Sequence, residues 1–459
     1  MKLASGSHIH ILGIAGHAMA GVALAAKNLG YQVTGTDTTA YEPMSSWLTE
    51  QGIAWYREAD KAHLDHIDLL VLGGGVAEDH LELVVAQEKG ITIQSYPELV
   101  SSLISTMNRI VVTGTHGKTT TTSFIAWLLE SAGKNPDYLI GIKPKNFKSS
   151  VRLGGSDVAV LEGDEYRSSK LDTSSKFSHY QPTSAIITSI EMDHPDLFKD
   201  LEDVKRRFEG LMQNMPEDGY VVYCNDSKTI DEVVAGANVK TESYGEGGDW
   251  QAMNTEFNEF GIKFDLQHGD EIAGAVSVPL YGAHNISNSI AALAVCLEQG
   301  ISIDDLQAGA KTFLGASRRF ERVSAQGSSV TVIDDYAHHP TEVAATLAAA
   351  KQHFTGKIFA VFQPHTYSRT QSLLKEYQQS FGDADQAYIL DIEGAREAGL
   401  AESVSAADVA TADNVEYASN REELIENLKQ ELKPGDVLLC MSVNGYQNFA
   451  QEINQIINT

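Results

Sequence analysis

Cysteine is nearly absent: the chain has three, Cys224, Cys296 and Cys440. They lie far apart and form no metal or redox spacing, so a reducing compartment fits best. Positive charge is also scarce. The 34 Lys and Arg are outnumbered by 62 Asp and Glu, for a formal net charge of -28. That balance argues against nucleic acid or an anionic membrane as a partner. It also means that an anionic ligand must be met by locally concentrated basic residues. No apolar run approaches a membrane span, and Met1 to Gly6 lacks the apolar core of a signal peptide. A soluble cytoplasmic protein is the expectation. Internal repeats and low-complexity segments are missing as well. At 459 residues the chain is too long for one core, so two to four domains are expected.

What is present is organised around Ile110-Val-Val-Thr-Gly-Thr-His-Gly-Lys-Thr-Thr-Thr-Thr122. An apolar strand end runs into Gly114 and Gly117, then Lys118, hydroxyls and an apolar-periodic helix. Such a loop aims backbone N–H groups and a helix dipole at one point, which suits phosphate. Lys118 would add a point charge on the outer phosphates, and Thr119 a hydroxyl for Mg²⁺. Val112 stands where the full Walker pattern has another glycine, so this is a shortened P-loop. The bland alternative is an ordinary strand-helix turn with a solvated lysine.

Upstream, residues 8–105 read as an α/β unit. Strand His8 to Gly13 leads through Gly13, Gly16 and Gly21 into a helix pattern from Met19 to Leu29. A second strand ends at Asp37. The spacing is looser than a dinucleotide fingerprint. What it offers is a phosphate-accepting helix N-terminus and a carboxylate placed for a sugar or base, or merely structural glycines.

Downstream, one strand ends in Glu162-Gly-Asp164-Glu165 and another in Glu191-Met-Asp193-His194. Ligands of parallel sheets sit beyond strand C-termini. The two clusters beside the P-loop therefore read as a Mg²⁺ site. Residues 220–280 read as an antiparallel, partly exposed insertion. Asn288 is expected to cap a helix from Ser289 to Glu298, and His284 with Asn285 to read a nucleobase edge. Arg318, Arg319 and Arg322 suit a bidentate grip on phosphate or carboxylate, or a surface salt-bridge cluster. From about Arg322 a third α/β unit begins. Its first strands end in Asp334-Asp335-Tyr336-Ala-His338-His339-Pro340 and in Gln363-Pro-His365-Thr366-Tyr367-Ser368-Arg369-Thr370. Both polar clusters should share one sheet edge.

Six motifs in order resemble the Mur ligases: Thr113 to Thr120, Glu162 to Glu165, Ile190 to His194, Gly282 to Asn285, Arg318 to Glu321, and Asp334 to Pro340. The resemblance covers essentially the whole chain. It implies an α/β protein of three domains: a Rossmann-like N-terminal domain (1–106), a central P-loop ATPase-type parallel-sheet domain (107–320) and a C-terminal Rossmann-like α/β domain (321–459). The implied activity is ATP-dependent, Mg²⁺-assisted amide ligation in peptidoglycan metabolism. L-Alanine or the tripeptide L-Ala-γ-D-Glu-meso-diaminopimelate would be joined to UDP-N-acetylmuramate by a monomer or homodimer.

The resemblance also implies roles. Gly114, Thr115, His116, Gly117, Lys118, Thr119, Thr120, Asn285, Arg319, Asp335 and His338 would bind ATP. Lys118, His194 and Arg319 would be catalytic, and Thr119, Glu165 and His194 would hold the metal. Gly13, Gly16, His17, Met19 and Asp37 would bind the sugar nucleotide, with Ala15 standing where a glycine is usual. His365 and Arg369 would take the amine substrate, and Thr366 replaces an arginine there. The stretches Tyr41 to Met44, Asp164 to Tyr166 and Ser175 to Tyr180 look more like tripeptide ligases, whereas Phe362 to Thr370 and Leu390 to Arg396 look more like alanine ligases. Phe208 and Glu209 occupy the region of a carbamylated lysine found in several relatives, so none is expected. A non-ligating nucleotide-binding regulator and a folate-type glutamate ligase are the rivals.

Overall fold

Short runs of Val, Ile and Leu alternate with longer helical patterns, and most of these runs become strands of parallel sheets. The computed structural model describes residues 4–458 apart from 41–43, 105, 194–196, 227, 259, 395–396, 398–403 and 447. His194, Arg396 and Tyr41 to Pro43 thus lie outside the described residues, as does the His17 side chain. Among the described residues, no helix is long and apolar enough to cross a membrane.

The first sheet has five strands in the order Ala54–Tyr56, Gln32–Thr36, His8–Leu12, Leu69–Leu72, Thr92–Ser95, every neighbour parallel. Alternation sorts the middle strand. Ile9 and Ile11 pack with the residues of helix His17–Asn28, while Leu12 packs with Leu83 of helix Leu81–Lys89.

The second sheet has ten strands. Its parallel body contains Asp137–Leu139, Ala159–Gly163, Arg109–Thr113, Ser184–Ile187, Tyr220–Cys224 and Lys240–Tyr244. The expected antiparallel insertion over 220–280 is therefore too long. Only Trp250–Asn258, Gly261–His268 and Glu271–Val278 form an antiparallel meander. The run Tyr-Val-Val-Tyr-Cys at 220–224 is nearly all buried, which is the signature of an interior parallel strand. A second correction concerns Asn288. The helix runs Ala283–Glu298 behind Gly282, so Asn285 and Asn288 sit buried inside it rather than at its cap.

The third sheet orders Glu321–Arg322, Thr331–Asp335, Val437–Met441, Ile358–Phe362, Gln386–Ile389 and Val415–Tyr417, all parallel but for the first pair. The polar clusters after its first two long strands do share an edge, where the His338 and His365 rings are 6.4 Å apart. The three cysteines are free and buried.

Candidate active site

The P-loop is built as the spacing predicts. Strand Arg109–Thr113 turns through Gly114 (φ 130°) into helix Lys118–Ser131, with Gly117 (φ 81°) at its N-cap. Both glycines are required twice over. A Cβ at Gly114 would lie 2.2 Å from Thr188 Oγ1, and one at Gly117 2.4 Å from Asn288 Oδ1. The loop is strapped down by Thr115 N and His116 N, which donate to the Ser189 backbone carbonyl and Oγ at 2.9 Å each. No side chain caps the helix, which leaves its first N–H groups to a ligand.

Lys118 curls back. Its ammonium donates to the Gly114 and Thr115 carbonyls and pairs with Glu165 Oε2 at 3.2 Å. Thr119 Oγ1 donates to Glu162 Oε1 at 2.7 Å, so the carboxylate at this hydroxyl is Glu162 rather than Glu165. Burial and the neighbouring Asp164 raise the Glu162 carboxyl above its usual range. Asp164 is itself desolvated but held low by Lys176, whose ammonium stands 2.8 Å away. Thr115, Lys118, Thr119, Glu162 and Asp164 line a cavity of about 250 Å³ that also touches Arg319, Tyr336 and His338.

A second cavity of about 310 Å³ shares Gly117, Arg319 and Glu342 with the first. It is walled by Thr120, His284, Asn285, Asn288, Phe320 and Asp335, among others. Burial and the nearby Arg319 push the His284 ring down to about 4, so it is neutral. Asn285 donates to the Tyr281 carbonyl at 2.8 Å. The Asp335 carboxylate accepts Phe320 N at 2.6 Å and Ala337 N at 2.7 Å, and burial raises it to about 6. His338 lies on the P-loop-lysine side instead, with its backbone N–H on Glu342.

The three arginines separate cleanly. Arg318 is spent on structure: Asp334 at 3.2 Å and the Ser442 and Val443 carbonyls take its guanidinium. Among the described residues Arg322 meets Ser324, Ala325 and Thr331 oxygens, at 3.3 Å or more. Arg319 faces both cavities, and its buried Nε has no hydrogen-bond partner among the described residues. Its neighbours Arg318 (φ 54°) and Phe320 (φ 48°) both adopt the left-handed region, an uncommon backbone for non-glycine residues.

His116 bridges toward the third unit, 3.3 Å from Glu342 and 3.6 Å from Glu191. Burial would lower it, but hydrogen bonds and attraction from the two carboxylates raise it to about 9. Arg369 is buried, and its Nε and Nη2 both donate to Asp193 Oδ1, at 3.0 and 2.8 Å. It therefore joins the third unit to the second rather than standing open. His365 remains half-buried beside Glu393 at 3.0 Å. In the first unit, Asp37 accepts Ala15 N at 3.0 Å and so shapes the Gly13 to Gly16 turn. Met19 is buried against that turn. Gly21 is a packing glycine instead, since a Cβ there would lie 2.6 Å from Val151.

The sequence placed Glu162 in the acidic cluster but pointed to Glu165 as the ligand, took Asn288 for a cap, and did not reveal Glu342. Strand alternation through Ala159–Gly163 was the available signal for Glu162, and the capping box before Pro340 for Glu342.

Family descriptions match in the same order as the three sheets. "Mur ligase family, catalytic domain" covers residues 8–107, "Mur ligase middle domain" 112–296, and "Mur ligase, glutamate ligase domain" 318–444. The chain belongs to the Mur ligase family. Among its Mur ligase relatives, UDP-N-acetylmuramate–L-alanine ligase of Clostridium acetobutylicum is 34% identical over 440 residues, 94% of either chain. A murein peptide ligase from Psychrobacter arcticus superposes with a TM-score of 0.71, covers 98% of both chains and is 28% identical. UDP-N-acetylmuramate:L-alanyl-γ-D-glutamyl-meso-diaminopimelate ligase from Neisseria meningitides is 35% identical, with a TM-score of 0.64 over 69% of this chain and all of that one. Like other Mur ligases, this protein has the three-domain α/β fold.

Proposed function

We propose that this chain joins L-alanine to the lactyl carboxylate of UDP-N-acetylmuramate, consuming ATP through an acyl phosphate. Residues 1–106 would take the sugar nucleotide, 107–320 the ATP and 321–459 the amine. One observation carries the reading. The P-loop helix and Lys118 share a cavity wall with Arg319, and the adjoining 310 Å³ cavity has the size and mixed polarity of a nucleoside pocket. The identity to an alanine ligase over nearly the full length supplies the substrates.

In the first step the carboxylate oxygen attacks the γ-phosphorus and ADP leaves. Two anions must meet, so fixed positive charge is the main requirement. The free N–H groups at Lys118 to Thr120 would cradle the phosphates, with Gly114, Thr115 and Gly117 allowing close approach. Lys118 would leave the Gly114 and Thr115 carbonyls and Glu165 for the γ-phosphate, and Arg319 would bring its unpartnered Nε to the same group. Thr119 and Glu162, with Glu165 beside Lys118, would supply the oxygen donors that Mg²⁺ takes, and the ion when bound would neutralise phosphate charge. Asn285 and His284 would face the base, and Asp335 the ribose. In the second step the amine attacks the acyl carbon. A new C–N bond forms, the C–O bond breaks, and phosphate leaves with the amine proton passing to solvent or a base. His365 is placed for the amine substrate. The turn at Gly13 and Gly16, with Met19 behind it and Asp37 fixing Ala15, would hold the diphosphate of the sugar nucleotide.

A second reading takes L-Ala-γ-D-Glu-meso-diaminopimelate as the amine. It is favoured by the 35% identity to the Neisseria meningitides ligase, as high as that to the alanine ligase. Phosphate release with ATP and UDP-N-acetylmuramate, comparing the two amines, decides between them. Release that ignored both amine and sugar nucleotide would sink both readings. Lys118→Ala is expected to cut ligation by about 10³-fold, the scale of removing a charge-stabilising donor.

A further inference from the structure

The back of the first sheet holds polar groups that the ligase reaction does not use. Its cover is an apolar layer of Leu12, Leu64, Leu70, Leu83 and Ala86. Within the same unit His10 and Glu82 are both fully buried. An ionised carboxylate so placed costs several kcal/mol unless its oxygens are satisfied.

Glu82 is satisfied on one side only. Its Oε1 accepts from Thr36 Oγ1 at 2.9 Å and Asp60 N at 3.2 Å, and lies 2.7 Å from His63 Nδ1, whose role follows the tautomer. Its Oε2 is buried with no hydrogen bond among the described residues. His10 Nε2 is 3.7 Å from Oε2, too long for a hydrogen bond in either tautomer. The other ring nitrogen, His10 Nδ1, is 2.7 Å from Thr34 Oγ1. His10 Nε2 also lies 3.1 Å from Thr36 Oγ1, whose own proton goes to Glu82 Oε1. With the ring proton on Nδ1 and donated to Thr34, the Nε2 lone pair and the carboxylate Oε2 are both left for a cation.

We propose that His10 Nε2, His63 Nδ1 and Glu82 form a binding site for a first-row divalent ion, Zn²⁺ in preference to Mg²⁺. The three donors lie within 4.8 Å of one another. An ion held by all three would sit among these atoms at bond lengths of about 2.0–2.2 Å. Two imidazoles with one carboxylate select zinc-like ions over hard, oxygen-seeking magnesium. Thr34 supplies the outer hydrogen bond that orients a ligating imidazole. His63 is the point of entry: its side chain keeps 16% exposure, and Tyr56 stacks on its ring at 3.8 Å. A fourth position remains for water. None of the three residues lines the cavities at Lys118 or Asn285. The ion would instead staple strand His8–Leu12, the short turn Lys61–Leu64 and helix Leu81–Lys89.

The test uses the full chain after EDTA treatment and dialysis. Co²⁺ is titrated and followed by its visible ligand-field absorption, and Zn²⁺ is then added as competitor. The expected result is one Co²⁺ per chain, displaced by Zn²⁺, with a Tm that rises on Zn²⁺ addition. His63→Ala and Glu82→Gln should each weaken binding by at least about 100-fold. Thr119→Ala, at the P-loop, should leave the cobalt signal unchanged. His63→Ala removes a partly exposed ring, and its circular dichroism shows whether it folds if Glu82→Gln does not. Absence of the Co²⁺ signal overturns the proposal. So does a signal that survives in folded His63→Ala or disappears in Thr119→Ala.

Discussion

The two junctions between units are made of different material. Between the first and second units the contact is apolar and close. Helix His17–Asn28 lays Gly21 on Val151, and Leu29 fills the space where a Cβ at Gly154 would come within 2.4 Å. One hydrophobic cluster runs unbroken from Ile9 and Val22 to Ile110 and Val151. Between the second and third units ion pairs and hydrogen bonds stand beside a smaller ring contact, in which Tyr281 packs on Phe320 and His353. Arg369 meets Asp193, His116 meets Glu342, and Thr341 Oγ1 donates to Glu191 at 3.1 Å. The third unit keeps its own two apolar clusters. Water can replace polar contacts at little cost, whereas exposing an apolar core is expensive. The first junction is thus expected to stay closed, and the second to be the one that opens around the cavities it borders.

That contrast can be broken or sharpened by substitution. The largest effect is expected from Arg369→Ala. Removing one partner of a buried ion pair costs about 3–5 kcal/mol. The loss should fall on the second junction, seen as a larger radius in solution scattering and a steep drop in kcat/KM while the first two units still melt together. If the whole protein melts earlier as one transition, the junctions are not distinct. Next comes Gly21→Val, which overpacks the first junction by about 1–3 kcal/mol. Urea unfolding should show a lower midpoint for the first two units with the third unit's transition unmoved.

The smallest effect is a pH dependence. The unfolded imidazole of His116 titrates near 6.5, and the folded one is held near 9. Because the folded value is raised, its stabilisation is complete below about 6.5 and is lost as pH rises through about 9. Scattering radius and protease sensitivity should increase over that window in the wild type. They should not change over it in His116→Gln.

The P-loop, the order of the three units and most strands were legible because each depends on local chain. Residues 110–122 carry their own strand, turn and helix signals. What was not legible depends on partners distant in sequence. Arg369 reads as a substrate clamp until Asp193, 176 positions away, takes its guanidinium. Arg318 and Arg319 are adjacent and chemically identical, and only Asp334 and the carbonyls at 442–443 reveal which one is committed. Glu162 and Glu165 fall in one short motif, and the register of Val112 opposite Glu162 decides which of them reaches Thr119. The sheet over 220–244 was misjudged because its Gly and Asp neighbours suggested exposure, while Tyr220 to Cys224 is an interior strand.

The anchoring of Arg318 has an evolutionary consequence. Its bonds go to Asp334 and to residues 442–443, all within the third unit, so Arg319 travels with that unit and not with the P-loop that it faces. On the proposed function, a recombination event that exchanged the chain after Ala316 for that of a relative would import a new amine-selecting surface together with Arg319, which faces both cavities. Substrate choice would then be exchangeable as a module without leaving the phosphate chemistry half assembled.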